Sequence, residues 1–207
     1  MADEHAPSPY PGYDVLRKWD SPSFNDATRA VLHRRLHDVP ERQFFSEAEF
    51  ALLTAACARL LATPPGEPPI ASWIDADLAA GRGEGFRAPG VPRAGEAWRL
   101  GLAGLAAQAH RQHGRDFASL DGPRQDAVLR AVQCGDADAS AFVGLAPAHF
   151  FTHMLLKSVA AHFYAQPQAW NEIGFGGPAS PRGYVRLGVG QRDPWEAPLR
   201  AAAREAP

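Results

Sequence analysis

The sequence has only two cysteines, no long apolar run and no excess of charge of one sign, and each of these absences excludes a class of protein. Cys57 and Cys134 are too few and too far apart for a thiolate metal cluster or a disulfide scaffold, so both are expected to be free, packed thiols. No segment approaches the roughly 20 apolar residues that a transmembrane helix requires. The 21 Lys and Arg residues nearly balance the 23 Asp and Glu residues, so no broad positive field would attract nucleic acid.

The N-terminal stretch also lacks the apolar segment of a secretory signal, because it is polar and rich in proline. Arg34 and Arg35 form a twin arginine, but no long apolar region follows them. We therefore expect a cytoplasmic protein, and a periplasmic one only if a partner carries the export signal.

A catalytic set is lacking as well. No serine lies in a nucleophile elbow, and no cysteine has a histidine near it in the sequence. Asp75 and Asp77 are two residues apart on a predicted helix and do not share a face, so both are expected to be solvated charges. Gly174-Phe175-Gly176-Gly177 resembles a phosphate loop in composition only, because no strand precedes it. Its glycines are expected to let the backbone turn or pass close to another chain.

Helix start signals are present instead. Ser23 is the predicted N-cap of the first helix. Ser46 and Glu49 form a capping box before the second helix. Asp121 precedes Gly122-Pro123, which is a favourable opening for a later helix. Each signal is followed by apolar residues at helical spacing.

The helical pattern extends from residue 23 to residue 166 and is interrupted by Gly and Pro. The segment between Pro147 and Pro167 is the most apolar, as expected for the central helix of a bundle. No alternation of apolar and polar residues is long enough for a sheet. The prediction is an all-α fold, a helical bundle with extended, Pro/Gly- and aromatic-rich arms, divided into an N-terminal arm (1–22), a bundle domain (23–166) and a C-terminal arm (167–207).

Both arms are rich in aromatic residues. Of the nine Trp and Tyr residues in the chain, six lie in residues 1–22 and 167–197. Disordered tails are depleted in aromatics, so these arms are expected to lie on a surface, either that of the chain's own bundle or that of a second subunit. Trp, Tyr and Arg dominate binding hot spots, which favours the second subunit. The residues predicted to bind it are Tyr10, Tyr13, Trp19, Trp170, Phe175, Arg182, Tyr184, Arg186 and Trp195.

Four histidines define an alternative function. His149 and His153 are four residues apart on one helix, and His110 and His113 on another helix could complete a metal site in an independent helical-bundle enzyme. Bundle metal sites recruit carboxylates, and neither helix has an Asp or Glu one turn from its histidines. No metal is therefore predicted, and these histidines are expected to face a partner or solvent. A helical adaptor unrelated to redox chemistry is a third possibility.

Several motifs follow one another over about residues 42–196, and the last of them is the closing Gly-rich segment. The others are Phe44-Phe45-Ser46-Glu47-Ala48-Glu49, Trp98-Arg99-Leu100-Gly101-Leu102, Phe117 with Leu120 before a helix containing Gln125, and Phe150-Phe151. This series resembles the gluconate 2-dehydrogenase subunit 3 family, the small or gamma subunits of membrane-linked sugar and sugar-acid dehydrogenases.

The resemblance implies a helical subunit with no catalytic residue and no cofactor of its own. Its partner would be a large flavoprotein of the glucose-methanol-choline (GMC) type, which holds FAD and oxidises a sugar or polyol. A cytochrome c or another electron acceptor would receive the electrons. The small subunit would support the folding, stability and assembly of the large one.

Overall fold

The computed structural model describes residues 9–82, 89–178 and 196–198, and within these ranges the chain forms helices and no strand. The prediction of an all-α fold is therefore confirmed. The helices are α1 (Asp26–His37), α2 (Glu47–Leu61), α3 (Ile70–Ala79), α4 (Ala94–His113), α5 (Gly122–Cys134), α6 (three consecutive segments, Pro147–His149, Phe150–Leu156 and Lys157–Tyr164) and α7 (Pro167–Ile173). Three single turns of 3-10 helix accompany them, at Val15–Lys18, Phe117–Ser119 and Ala139–Phe142.

The contacts divide the chain into two compact units. The terminal unit combines Met1–Asp38 with Tyr164–Pro207, and the central unit is the continuous segment Val39–Phe163. Helix α1, which the sequence pattern assigned to the bundle, thus belongs to the terminal unit. Residues 167–173, which lack a clear helical pattern, form α7 instead of extended chain.

Two of the predicted helix starts are confirmed. The Ser46 hydroxyl accepts a hydrogen bond from the Glu49 backbone N–H at 3.3 Å, and the Glu49 carboxylate accepts one from the Ser46 backbone N–H at 2.8 Å. This reciprocal pair is the predicted capping box. The Asp121 side chain accepts from the Arg124 backbone N–H at the start of α5.

The predicted start of α1 is wrong by two residues. The helix begins at Asp26, and the cap is Asn25, whose side chain accepts from the Thr28 backbone N–H at 2.8 Å. Ser23 is fully buried. Asn is as good an N-cap as Ser, so local preference alone does not decide between the two positions.

Helix α6 has an unpredicted π-helical stretch. Its backbone remains right-handed helical at the junctions Phe150 and Lys157, but the seven residues Phe150–Leu156 are wound more loosely than an α-helix. Such stretches are rare in proteins and often occur at functional sites.

The core of the central unit depends on two glycines of α4. An added Cβ at Gly101 would lie 2.0 Å from the Phe150 ring, and one at Gly104 would lie 2.6 Å from the Phe142 ring. Both rings are completely buried. The two glycines therefore let the aromatic rings pack directly against the backbone of α4.

An aromatic row continues this packing through the motifs that carry the family resemblance. The Trp98 ring packs edge-to-face with the rings of Phe150 and Phe45, with 5.8 and 6.2 Å between ring centroids. The Phe45 ring packs in the same way against Phe44, with 4.9 Å between centroids. Edge-to-face pairs at these distances are favourable beyond their buried area. These motif residues thus build the core of the central unit.

Asp75 anchors the chain that leads into α2. Its carboxylate is fully buried and accepts hydrogen bonds from the backbone N–H groups of Gln43, Phe44 and Phe45 at 2.6, 3.1 and 2.8 Å. The expectation that Asp75 is a solvated charge is therefore wrong. Asp77 is more exposed and forms ion pairs, with Arg82 at 2.7 Å among them.

Val143 has an unfavourable backbone conformation. Its φ is 42° and its ψ is 70°, in the left-handed region, and its side chain is 64% exposed. Left-handed geometry costs an L-residue roughly 1–2 kcal/mol, and asparagine tolerates it better than a β-branched residue. We expect Val143→Asn to stabilise the protein by about 1 kcal/mol, seen as a rise in the melting temperature of roughly 2–4 °C.

Val39→Asn is the matched control, because Val39 is 46% exposed and has no positive φ. It should leave the melting temperature nearly unchanged. Equal effects of the two substitutions would show that backbone strain at Val143 contributes nothing.

Candidate partner interface

The predicted partner-binding residues of the described ranges come together in the terminal unit. Val15, Phe24, Leu32 and Trp170 form a small buried core there, and the partly buried side chains of Tyr13, Leu16 and Trp19 pack around it. The two ends of the sequence thus share one hydrophobic cluster. Apolar burial of this kind is what holds them together.

Trp170 lies at the centre of this cluster. Its side chain is 4% exposed, and its indole N–H donates to the backbone carbonyl of Tyr164 at 2.7 Å. The Phe175 ring packs edge-on against it, with 5.4 Å between the ring centroids. Both the apolar surface and the polar atom of Trp170 are therefore satisfied within this chain, which leaves little of it for another protein.

Polar contacts join the same two ends. The Val15 backbone N–H donates to the side-chain oxygen of Asn171 at 2.8 Å, and the Tyr13 hydroxyl donates to the Phe175 carbonyl at 3.4 Å. These residues are 156 and 162 positions apart in the sequence. Such pairs order residues 9–22, for which the structure describes one short turn of helix.

The glycines after α7 permit close packing, as the sequence suggested, but against this chain itself. An added Cβ at Gly174 would lie 2.7 Å from the Tyr10 ring, and one at Gly177 would lie 3.0 Å from Phe24. Both glycines have left-handed φ values, 67° and 77°. The absence of a side chain therefore serves both the turn and the approach of the aromatic rings.

Positive charges surround the cluster and are held in place. The Lys18 ammonium lies over the Phe24 ring at 5.1 Å from its centroid. The Arg29 guanidinium donates to the backbone carbonyls of Trp19 and Phe24. Arg35 donates to the Ala165 carbonyl at 2.9 Å, and burial, followed by repulsion from Arg34, lowers the pKa of Arg35.

Over the residues that the structure describes, four large apolar side chains of the terminal unit remain exposed, and one of them is Val31 of α1, which is 36% exposed. Ile173 and Phe175, on either side of Gly174, are 47% and 36% exposed, and Tyr164 is 49% exposed. Among these, the sequence predicted only Phe175 as a contact residue. Arg182, Tyr184, Arg186 and Trp195 lie outside the described residues. Tyr10, Tyr13 and Trp19 are partly exposed at the edge of the buried cluster.

The four histidines of the alternative reading do not form one cluster. His149 and His153 face each other with 4.8 Å between ring centroids, and His110 pairs with Asp116 at 2.8 Å. Within the described ranges, no three His, Cys, Asp or Glu side chains are grouped so that they could hold a metal ion.

The two cysteines have different environments. Cys57 is buried, and burial raises the pKa of its thiol to about 12, so it remains a neutral, packed thiol as predicted. Cys134 is exposed, so the prediction that it is packed is wrong. Both are free.

No helix in the part of the chain that the structure describes is long and apolar enough to cross a bilayer. No curated protein and no solved structure matches the chain. A family model, described as gluconate 2-dehydrogenase subunit 3, matches residues 47–177. This range contains α2 to α7, Trp98 and Phe150 of the aromatic row, the two α4 glycines and Trp170. The chain belongs to the gluconate 2-dehydrogenase subunit 3 family.

Proposed function

We propose that the chain is the non-catalytic accessory subunit of an FAD-dependent dehydrogenase complex that oxidises a sugar or polyol. Membership of the gluconate 2-dehydrogenase subunit 3 family is the observation that carries this proposal. The large partner, a GMC-type flavoprotein, would hold FAD and perform the oxidation, and a cytochrome c or another acceptor would take the electrons. The small subunit would support the folding, stability and assembly of the large one.

The motifs that carry the family resemblance are used for internal packing. Phe45, Trp98, Gly101 and Phe150 build the core of the central unit, so the sequence features that define the resemblance have a structural use. With these residues buried in the core, contacts with a partner would be made by other residues at the surface. The surface we propose for the partner is the exposed apolar rim, defined as Tyr164, Ile173 and Phe175, with Tyr10, Tyr13 and Trp19 beside it.

The direct test is isolation of the chain from its native host at native expression level, followed by an absorption spectrum and identification of the bound protein. We expect a flavoprotein with the yellow absorption of FAD to co-purify, and dehydrogenase activity with it. Purification of the chain with a partner that binds no flavin would support the helical adaptor instead.

The exposed rim gives the sharper prediction. Truncation of a hot-spot side chain typically costs 2 kcal/mol or more, which is about thirtyfold in affinity. Ile173→Ala combined with Phe175→Ala should therefore release most of the co-purified flavoprotein. The melting temperature of the isolated chain should fall by only a few degrees, because Ile173 and Phe175 are 47% and 36% exposed and neither belongs to the fully buried core of the terminal unit.

Val39→Ala combined with Leu156→Ala is the matched control, since these central-unit side chains are 46% and 38% exposed. It should leave the complex intact. Trp170→Ala is the structural counterpart, because it removes a buried ring and should lower the melting temperature of the isolated chain. Retention of the partner by the Ile173 and Phe175 double variant would refute the assignment of the rim.

A further inference from the structure

His149 and His153 form an exposed pair that the accessory function does not use. They lie four residues apart on α6, at the point where the α-helical start gives way to the π-helical stretch. Their rings are inclined by 38° with 4.8 Å between centroids. His153 is exposed and His149 is partly exposed, so an ion from solvent can reach the pair.

The ring separation suits two ligands of one metal ion. With metal–nitrogen bonds of about 2.1 Å, two imidazole centroids lie about 4.6 Å apart at a right angle and about 5.3 Å apart at a tetrahedral angle. The observed 4.8 Å lies between these values. Neutral imidazole is a preferred ligand of Zn²⁺, Cu²⁺ and Ni²⁺.

We propose that His149 and His153 form a two-ligand site for a borderline divalent transition-metal ion, with water in the remaining positions. No third protein ligand is grouped with the pair in the described ranges, so the site is open and exchangeable. The site does not depend on the proposed accessory function, because both ligands belong to this chain.

A second histidine pair supplies a comparison. His33 and His37 on α1 have the same spacing and a ring separation of 4.6 Å. Arg34 and Arg35 follow His33 by one and two residues, so they project from other faces of α1. Lys157 follows His153 by four residues on the same side of α6. The α1 pair is therefore a possible competitor and has to be removed when the α6 pair is tested.

Calorimetric titration of the full chain with Ni²⁺ alone tests the site. The chain should carry His33→Ala and His37→Ala, so that the α1 pair cannot contribute. We expect one Ni²⁺ per chain, with saturation below about 1 mM. Adding either His149→Ala or His153→Ala should weaken binding at least about tenfold, because one of two ligands is lost.

A rescue variant tests the geometry of chelation. His149→Ala combined with Lys157→His again places two imidazoles four residues apart, with His153 as the shared ligand, and should recover the affinity. Circular dichroism checks that each variant stays helical. Unchanged affinity in either single variant, or a rescue variant that binds no better than His149→Ala, would overturn the proposal.

Discussion

Replacement of Gly101 by alanine is expected to destabilise the protein by at least about 3 kcal/mol, because the new methyl group would overlap the buried Phe150 ring. Phe150 cannot easily move aside. Its ring is fully buried and packs against the rings of Trp98 and Phe142, with 5.8 and 6.3 Å between ring centroids. The corresponding fall in melting temperature is roughly 10 °C. Thermal unfolding followed by circular dichroism measures it.

Ala103→Gly is the matched control on the same helix, since Ala103 is exposed and the change removes a methyl group. It should cost only the helix propensity of glycine, about 1 kcal/mol. The combination of Gly101→Ala with Phe150→Ala makes room for the new methyl group. Its effect should be clearly smaller than the sum of the single effects. Strict additivity would show that the two positions do not clash.

Asp75→Ala is expected to cost about 3–5 kcal/mol, because hydrogen bonds to a charged acceptor are strong and unsatisfied buried donors are costly. The substitution removes the acceptor of three successive backbone N–H groups, and the last of them belongs to the buried residue Phe45. Chemical denaturation gives the change in unfolding free energy. The loss of stability in Asp75→Asn should lie between zero and that of Asp75→Ala. The amide retains one acceptor oxygen but turns an N–H₂ group towards the backbone donors.

Asp77→Ala is the control for charge without burial. Its carboxylate pairs with Arg82 and with His162 at 2.7 and 3.5 Å on a partly exposed surface. Such pairs contribute about 0–1 kcal/mol. A loss of stability in Asp75→Ala no greater than that in Asp77→Ala would contradict the anchoring role.

The difference between these two aspartates shows what the sequence can predict. The capping box of Ser46 and Glu49 was predictable because both hydrogen bonds form within four residues. The donors that reach Asp75 lie 30 to 32 positions away in the sequence. The packing of α3 beside residues 43–45 brings these donors to the Asp75 carboxylate, so no local sequence pattern predicts the contact.

The candidate interface was also predictable only in part. Aromatic content predicted that the ends of the chain lie on a surface, and Tyr13, Trp19 and Trp170 pack in one cluster of the terminal unit. That the ends bind a second subunit stays a prediction. Trp170 finds its hydrogen-bond acceptor and its ring partner within the terminal unit. Ile173 was overlooked because one apolar residue at a helix end has no distinguishing pattern. The burial of Trp170 and the exposure of Ile173 follow from tertiary packing.

The composition of the terminal unit from both ends of the sequence has a consequence for biosynthesis. The central unit, Val39–Phe163, is continuous and can complete its core as soon as it leaves the ribosome, since domains generally fold as units during synthesis. Val15, Phe24 and Leu32 emerge before the central unit, but their cluster is complete only when Trp170 has been made. Their apolar surface therefore lacks this part of its cover while the whole central unit is translated, and a chaperone would find its target in the segment that precedes the central unit.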